Sequence, residues 1–524
     1  MNFNFINLLL QINNIVTYNC GSFVIYKELS ARIGRILAIV EIDGELKVTM
    51  QRVLTIDELP NNLQSNNRKE RSSNEVWLLD RTMENAIITV ELQAIIKPVI
   101  IVILYDEDNT VVESSSTVIR EILYKYQGHW KLRNVTYSYK HPSEFASIVE
   151  PETNIPIYKL YIDLYLDDFG TYRNTYHSLG GVYIQIGNLP FDKRKQLKNH
   201  FVIGFVPFGA NFNEYIEPFI IEMKQLEKGK IMNLQGNKSL VFATLGDITA
   251  DLPQGNDLAG VKRHSAIRGC RTCSVTKDLL TSDELDLTLI SRYHHLTNIQ
   301  FEEIFAAQTM KRRKEIAVEY GLCLQPSLLD HLKWERHLQS PQDVYHATAG
   351  KILRFLKITI DAFSPDGKVA FITTWKLFEY PRVWSKLPNP ISHIDSFMMS
   401  DCLRLAMVIP FILNRFLMPQ HFKQSEIDKL RSRTGVSRND FATKLWLKCW
   451  VLMAKTMKIS FMNSFNEEDY TKLYKCLDDE RRLLSRVLLF IAFVLFSHIL
   501  NSCHVRIIQL NLINNLQYTI SNFY

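Results

Sequence analysis

Residues 161–170 read Tyr-Ile-Asp-Leu-Tyr-Leu-Asp-Asp-Phe-Gly. Residues 246–260 read Gly-Asp-Ile-Thr-Ala-Asp-Leu-Pro-Gln-Gly-Asn-Asp-Leu-Ala-Gly, and Gly-Cys-Arg-Thr-Cys follows at 269–273. Each acidic cluster closes an apolar, β-prone run. Side chains alternate along a strand, so Asp163, Tyr165 and Asp167 share one face while Leu164, Leu166 and Asp168 share the other. Strands hold their side chains in fixed places, and two strand-end carboxylates can meet across a sheet. A carboxylate pair held that way is what a divalent-metal site for phosphate chemistry requires. The same acids, taken alone, equally fit strand ends that cap a turn.

Outward from this stretch the pattern predicts strands at 157–167, 180–187 and 201–208. A helix is predicted at 213–228, with Ile216, Phe219, Ile220, Met223 and Leu226 on one face, and a strand at 239–245 leading to Asp251. After Cys273 helical spacing dominates, at 301–320, 347–357, 367–379, 401–416, 440–457 and 467–486. Toward the N-terminus, residues 22–106 alternate like several short strands, with Asp43-Gly44 as a hairpin signal and a polar loop at 61–74. Strands without intervening helices predict a small β-barrel-like domain. Residues 117–126 have helical spacing, and Pro142, Pro151 and Pro156 mark a boundary near residue 150. The expected fold class is α+β. A β-rich domain with its connector spans 1–150, a mixed-sheet core 151–300, a helical region 301–486 and an atypical apolar tail 487–524.

The pattern Leu-Asp-Asp-Phe-Gly-Thr-Tyr-Arg-Asn (166–174), then Asp-Leu-Pro-Gln-Gly-Asn (251–256), then Gly-Cys-x-x-Cys resembles CACTA-type DNA transposases, most closely the fungal Plavaka-like branch. The resemblance covers roughly residues 155–480. It implies a ribonuclease H-like core with an Asp, Asp, Glu triad that cleaves and transfers DNA strands with Mg²⁺ or Mn²⁺. It places the first acid at Asp167, with Asp168 in reserve, and the second at Asp251 in an Asp-x-Pro match. Asp247 and Asp257 are rivals for the second. The third acid has no clear counterpart: Glu480-Arg481 has the right dipeptide, but its neighbours Asp478, Asp479 and Arg482 suggest a solvent-facing helix. The family pattern ends near Arg486. The Ile-, Leu-, Asn-, Phe- and Tyr-rich tail reads like translated A/T-rich non-coding sequence, so a truncated copy is expected. Separately, Ile-Gly-Arg-Ile-Leu-Ala-Ile-Val (33–40) with Glu-Val-Trp-Leu-Leu-Asp (75–80) resembles a bromo-adjacent homology domain, a chromatin-binding barrel; any small β domain could give the same phrases.

Cys270 and Cys273 stand at a spacing that suits two thiolate ligands of a tetrahedral zinc. His294 and His295 follow Cys273 after 20 residues, and His264 is a further candidate. A redox pair or a metal-free core pair fits the same spacing. Lys193, Arg194, Lys195 and Lys198, and again Lys311, Arg312, Arg313 and Lys314, form basic runs. Each suits phosphate contact or nuclear import, or simply a solvated face. The crowded segment His331, Trp334, Glu335, Arg336 and His337 suggests no role.

A chain of 524 residues suits two or three domains, and 46% hydrophobic with 22% charged residues marks ordinary globular protein. A net charge of +6 permits a nucleic-acid partner without demanding one. Eight cysteines with a single close pair are no disulfide framework and suit a reducing interior. The N-terminus lacks a basic region and a cleavage site, so no signal peptide is expected. The apolar run 487–496 is too short for a bilayer, which needs roughly 20 residues. The expectation is a nuclear, transposase-derived protein acting on DNA, and on chromatin if the N-terminal resemblance holds. It is expected to be catalytically incomplete, with structural Zn²⁺, no membrane partner and oligomerisation left open. The rival expectations are a non-catalytic DNA- or chromatin-binding protein and a decayed element without function.

Overall fold

The computed structural model describes residues 10–12, 16–18, 21–42, 45–81, 83, 85–104, 117–126, 128–135, 155–170, 178–281, 290–462 and 467–487. Pro142, Pro151 and the apolar tail beyond residue 487 lie outside the described residues.

A short ribbon pairs β1 (Leu10–Ile12) with β2 (Val16–Tyr18). A nine-stranded sheet follows. Its strands are β3 (Phe23–Lys27), β4 (Ala31–Ile42), β5 (Glu45–Leu54), β6 (Glu75–Leu79), β7 (Ile87–Glu91), β8 (Ile95–Val99), β9 (Ile101–Ile103), β10 (Thr117–Tyr126) and β11 (His129–Asn134). The order is β11-β10-β6-β5-β4-β3-β8, with β7 on β5 and β9 on β10. β4 and β5 pair antiparallel out to Ile42 opposite Glu45; Asp43-Gly44, the hairpin signal, lies outside the described residues. Residues 61–74, expected as a loop, carry a short helix, Asn66–Arg71, whose N-cap Ser65 accepts the Arg68 N–H.

Two expectations are corrected here. The sheet curls into a half-barrel but does not close. Among the described residues β8 pairs only with β3 and β9 only with β10, and Pro98 opposite Val24 has no N–H to give the ladder. Residues 117–126 are strand β10, not helix. Their β-branched and aromatic side chains pair along β6 and β11 and bury Ile119, Ile122 and Leu123.

The second sheet contains β12 (Ile157–Gly170), β13 (Ser178–Ile186), β14 (His200–Val206), β15 (Lys230–Leu234) and β16 (Asn237–Ala250) in the order β14-β13-β12-β16-β15. It is mixed: β12 and β16 are parallel, and every other pair is antiparallel. The crossover between them carries the helix Phe212–Lys228. That helix buries Ile216, Ile220 and Met223 against Ile162, Leu164 and Leu166, the even-numbered face of β12. The odd-numbered face is thereby left to Asp163, Tyr165 and Asp167.

A large helical region follows. The predicted helix at 301–320 is two, His294–Ala306 and Met310–Tyr320, because Thr309 N-caps the second by accepting the Arg312 N–H. The helices Val344–Ala362, Pro365–Leu377, Met399–Phe416, Gln424–Thr434, Asn439–Ser460 and Glu467–Val487 build one core. At its centre Phe355 stacks on Trp446 and Trp450, and both indole N–H groups donate to Thr359 Oγ1, at 3.0 and 3.1 Å. Among the described residues no helix is long and apolar enough to cross a membrane.

Candidate functional site

The parallel ladder of β12 and β16 ends with Leu166 opposite Ala250, so the next residue on each strand is Asp167 and Asp251. Leu166 and Ala250 face the buried core, and alternation turns both aspartates to the other side of the sheet. The Tyr165 hydroxyl donates to Asp167 Oδ2 at 2.9 Å. Asp251 is the N-cap of the helix Leu252–Leu258, and its Oδ1 accepts the Gln254 N–H at 2.7 Å. Pro253 lies in the first turn, where its missing N–H is not needed. Asp168, the reserve acid, is exposed and lies on the opposite face from Asp167.

A further acid joins this pair. Asp343 N-caps Val344–Ala362, accepts the His346 N–H at 2.9 Å and ion-pairs with the His346 ring. That hydrogen bond to Asp343, with the charges of Asp343, Asp251 and Asp167 behind it, holds the imidazole above its ordinary pKa. Burial, with Asp343 and Asp167 adding to it, raises the Asp251 carboxyl. Burial and then the Asp167 charge raise the Tyr165 hydroxyl. Three carboxylates, a phenol and an imidazole thus form one electrostatic unit. Carboxylate oxygens are the donors that Mg²⁺ and Mn²⁺ take. Among the described residues, however, no three His, Cys, Asp or Glu side chains stand together as a metal-ligand group. The donor chemistry fits a hard cation, and the arrangement does not complete a cage for two.

Arg271, within the Cys-x-x-Cys, fixes Asp251 relative to Asp343. It is fully buried and donates to Ser340 O (3.1 Å), Leu252 O (3.4 Å) and Pro341 O, tying the start of one acid's helix to the approach to the other's. A Cβ on Gly255 would lie 2.1 Å from Arg271 Nη1 and 2.6 Å from Cζ. Gly255→Ala is therefore expected to destabilise the chain by roughly 1–3 kcal/mol, the range for overpacking, measured as a lower urea midpoint with an unchanged slope.

Asp247, the other reserve acid, is not beside Asp167. It lies at a bulge in β16 with Asp163, whose Oδ1 accepts the Asp247 N–H at 3.0 Å. Burial pushes the Asp163 carboxyl up to about 6, and burial with the Asp163 charge raises Asp247. Asp257 is exposed on the helix Leu252–Leu258, not in a loop, and ion-pairs with Arg263 at 2.7 Å.

Cys270 and Cys273 are both buried, and each is 2% exposed. Burial, then a hydrogen bond to Cys270, raises the Cys273 thiol. The loop is braced by buried Arg292, which donates to Cys270 O at 2.9 Å and Cys273 O at 3.1 Å. The expected histidines have other partners. The His295 ring packs edge-on against Tyr124, and His294 Nδ1 accepts the Arg336 N–H at 3.3 Å. The thiols supply two soft donors, and among the described residues no third ligand joins them.

The basic runs divide in the same way. Lys193, Lys195 and Lys198 are exposed, whereas Arg194 turns inward to Asp163 at 3.6 Å. Lys311, Arg312 and Lys314 are exposed, whereas Arg313 caps the preceding helix through Ala307 O and Phe305 O, both at 2.9 Å. Glu480, expected on a solvent-facing helix, is instead fully buried and ion-paired with Lys351. It lies on the stripe Leu473, Cys476, Leu477, Leu484 and Val487 that packs into the helical core. The crowded segment 331–337 also has a structural use. Arg336 pairs with Asp330, and His337 bridges Arg271 O (2.7 Å) to Thr297 Oγ1 (2.8 Å).

No protein-family model matches the sequence, and no curated protein matches it. The residues that sequence reasoning missed are Asp343, His346 and Tyr165. An Asp opening a helical run with His three residues on was the available signal, since an N-cap and the third helical residue lie on one side of a helix start.

Proposed function

We propose that the strand-end site of Asp167 and Asp251 handles the phosphate backbone of DNA, and that the chain is a transposase-derived protein with a ribonuclease H-like core and crippled cleavage chemistry. The observation that supports this is the ladder register, which ends with Leu166 opposite Ala250, one residue before each acid. A bound Mg²⁺ or Mn²⁺ would activate water and neutralise the leaving oxygen. The chain's own groups orient and charge the site. Tyr165 holds Asp167, the Gln254 N–H holds Asp251, and His346, whose pKa is raised beside Asp343, balances part of the acidic charge when protonated. The burial of Glu480 supports an incomplete triad, because that carboxylate is committed to Lys351. DNA is the partner and the nucleus the location in this proposal; chromatin contact and structural Zn²⁺ rest only on the sequence resemblance and the thiol pair.

The test is nicking of supercoiled DNA with Mg²⁺ or Mn²⁺. Little metal-dependent cleavage by the purified full chain is expected. Robust cleavage abolished by Asp167→Asn would show an intact active site, and no DNA binding at all would sink the proposal. Binding without cleavage is the expected state. Replacing the exposed Lys311, Arg312 and Lys314 by Ala should then weaken it across all sequences and flatten its salt dependence by about 0.9 per lost phosphate contact. Zinc analysis decides the thiol pair: stoichiometric metal supports a zinc site, and no metal with both thiols readily alkylated removes it.

A further inference from the structure

We propose that Asp163 is a positioning residue for the strand-end site: it pins a β-bulge that moves Asp251 into line with Asp167. The inference rests on the metal-site proposal above and deepens it. Along β12 and β16, Ile162 pairs with Leu245, but the next pair is Leu164 with Ile248. Two steps on one strand match three on the other, which is one extra residue in β16. Before the bulge Ala243 and Leu245 pack into the core with Ile216, Ile220 and Met223; after it Ile248 and Ala250 do. An unbroken strand would carry the core face on through residues 247, 249 and 251, because a one-residue slip exchanges the faces. Asp251 would then stand level with Asp168, on the side of the helix Phe212–Lys228. The bulge brings it level with Asp167, on the opposite side.

The backbone groups at the bulge are held by two side chains and one carbonyl. The Asp247 N–H donates to Asp163 Oδ1 at 3.0 Å. Gln339 Nε2 donates to Leu245 O and Gly246 O, both at 2.8 Å, and the Ile248 N–H donates to Gln339 O at 2.7 Å. Glycines make room for the carboxylate: a Cβ on Gly246 would lie 2.2 Å from Asp163 Oδ1, and one on Gly187 would lie 2.9 Å from either oxygen. Arg194 approaches Oδ2 at 3.6 Å, and its carbonyl is held by Gln185 Nε2 at 2.8 Å. This explains why one residue of an otherwise exposed basic run points inward.

The test uses the full chain with Mn²⁺ alone as the probe, read by electron paramagnetic resonance, together with hydrogen exchange of the Asp247 amide. Asp163→Ala removes the acceptor. Asp163→Asn keeps an oxygen at the same place. Supporting ligands of this kind typically govern roughly 10–100-fold in metal affinity, and a loss of that size is expected for Asp163→Ala, with faster Asp247 exchange. Asp163→Asn should recover most of both. Wild-type Mn²⁺ affinity in Asp163→Ala, despite faster exchange, would overturn the positioning role. So would failure of Asp163→Asn to rescue while its thermal midpoint matches wild type. If wild type and Asp167→Asn bind Mn²⁺ equally, the metal-site proposal fails. The bulge clamp then stands or falls on exchange: unchanged Asp247 protection in Asp163→Ala refutes it, and faster exchange restored by Asn supports it.

Discussion

Lys351→Met is expected to destabilise the chain by about 3–5 kcal/mol, and adding Glu480→Leu is expected to return most of that loss. Lys351 and Glu480 are 1% and 0% exposed and pair across the helices Val344–Ala362 and Glu467–Val487. Their surroundings are apolar, with Ile352, Phe355 and Leu484 in the same core. Removing the ammonium alone strands a carboxylate in that core. The carboxylate must then take up a proton or draw in water, and either is unfavourable at neutral pH. Cys449 already registers the Glu480 charge, which adds to burial in raising its thiol. A double-mutant cycle by urea denaturation reads the coupling. Additive losses would mean that the pair is not the stabilising unit described. The same cycle bears on function: a carboxylate that the core requires as half of an ion pair cannot also swing out to hold a metal, so Glu480→Gln should leave Mn²⁺ binding unchanged.

The strands around the site were legible because their signal is local. Residues 157–167 alternate cleanly. The helix Phe212–Lys228 was legible from one apolar stripe. The bulge at Gly246 was not. It is set by Asp163 and Gln339, which are remote in sequence, and it changes the facing of Asp251 without changing the composition of the strand. A residue-by-residue reading therefore placed Asp247 and Asp251 as rivals, and only the register separates them. Arg194 and Arg313 were read with their basic neighbours because charge runs carry no direction. Packing turns one in to Asp163 and the other onto a helix end.

Residues 117–126 failed for a different reason. Val118, Ile119, Ile122 and Leu123 satisfy a helical period, but they also satisfy a strand buried on both faces, and such runs are ambiguous by period alone. The partner strands decided the matter. Glu480 shows the converse error. Its charged neighbours suggested solvent, yet its position relative to Leu473, Leu477 and Leu484 already placed it on the packed stripe. Periodicity outweighed polarity because a buried partner, Lys351, lay far away in sequence.

Asp251→Asn is expected to lower Mn²⁺ affinity by more than about tenfold, because ligand charge sets the affinity of such sites, while leaving the metal-free chain more stable than wild type at pH 8. Asn caps a helix as well as Asp does, so the bond from the Gln254 N–H survives the change. What disappears is one of three neighbouring negative charges. The Asp251 pKa is raised in the fold by burial, with Asp343 and Asp167 adding to it. The native state therefore holds a proton that the unfolded chain has released, and wild-type stability falls as pH rises through that raised value. The Asn variant lacks this slope. A second step has the same sign. His346 is held protonated first by Asp343, with Asp251 and Asp167 assisting, so its contribution is present at low pH and lost as pH rises through its raised pKa. Above that point the His346 charge no longer offsets the repulsion among the acids, and the variant's advantage should be largest. Thermal midpoints of wild type and variant, with and without Mn²⁺ between pH 5 and pH 8, read both effects in one experiment. A variant that loses stability at pH 8, or that is still stabilised by Mn²⁺ as much as wild type, would remove Asp251 from the site.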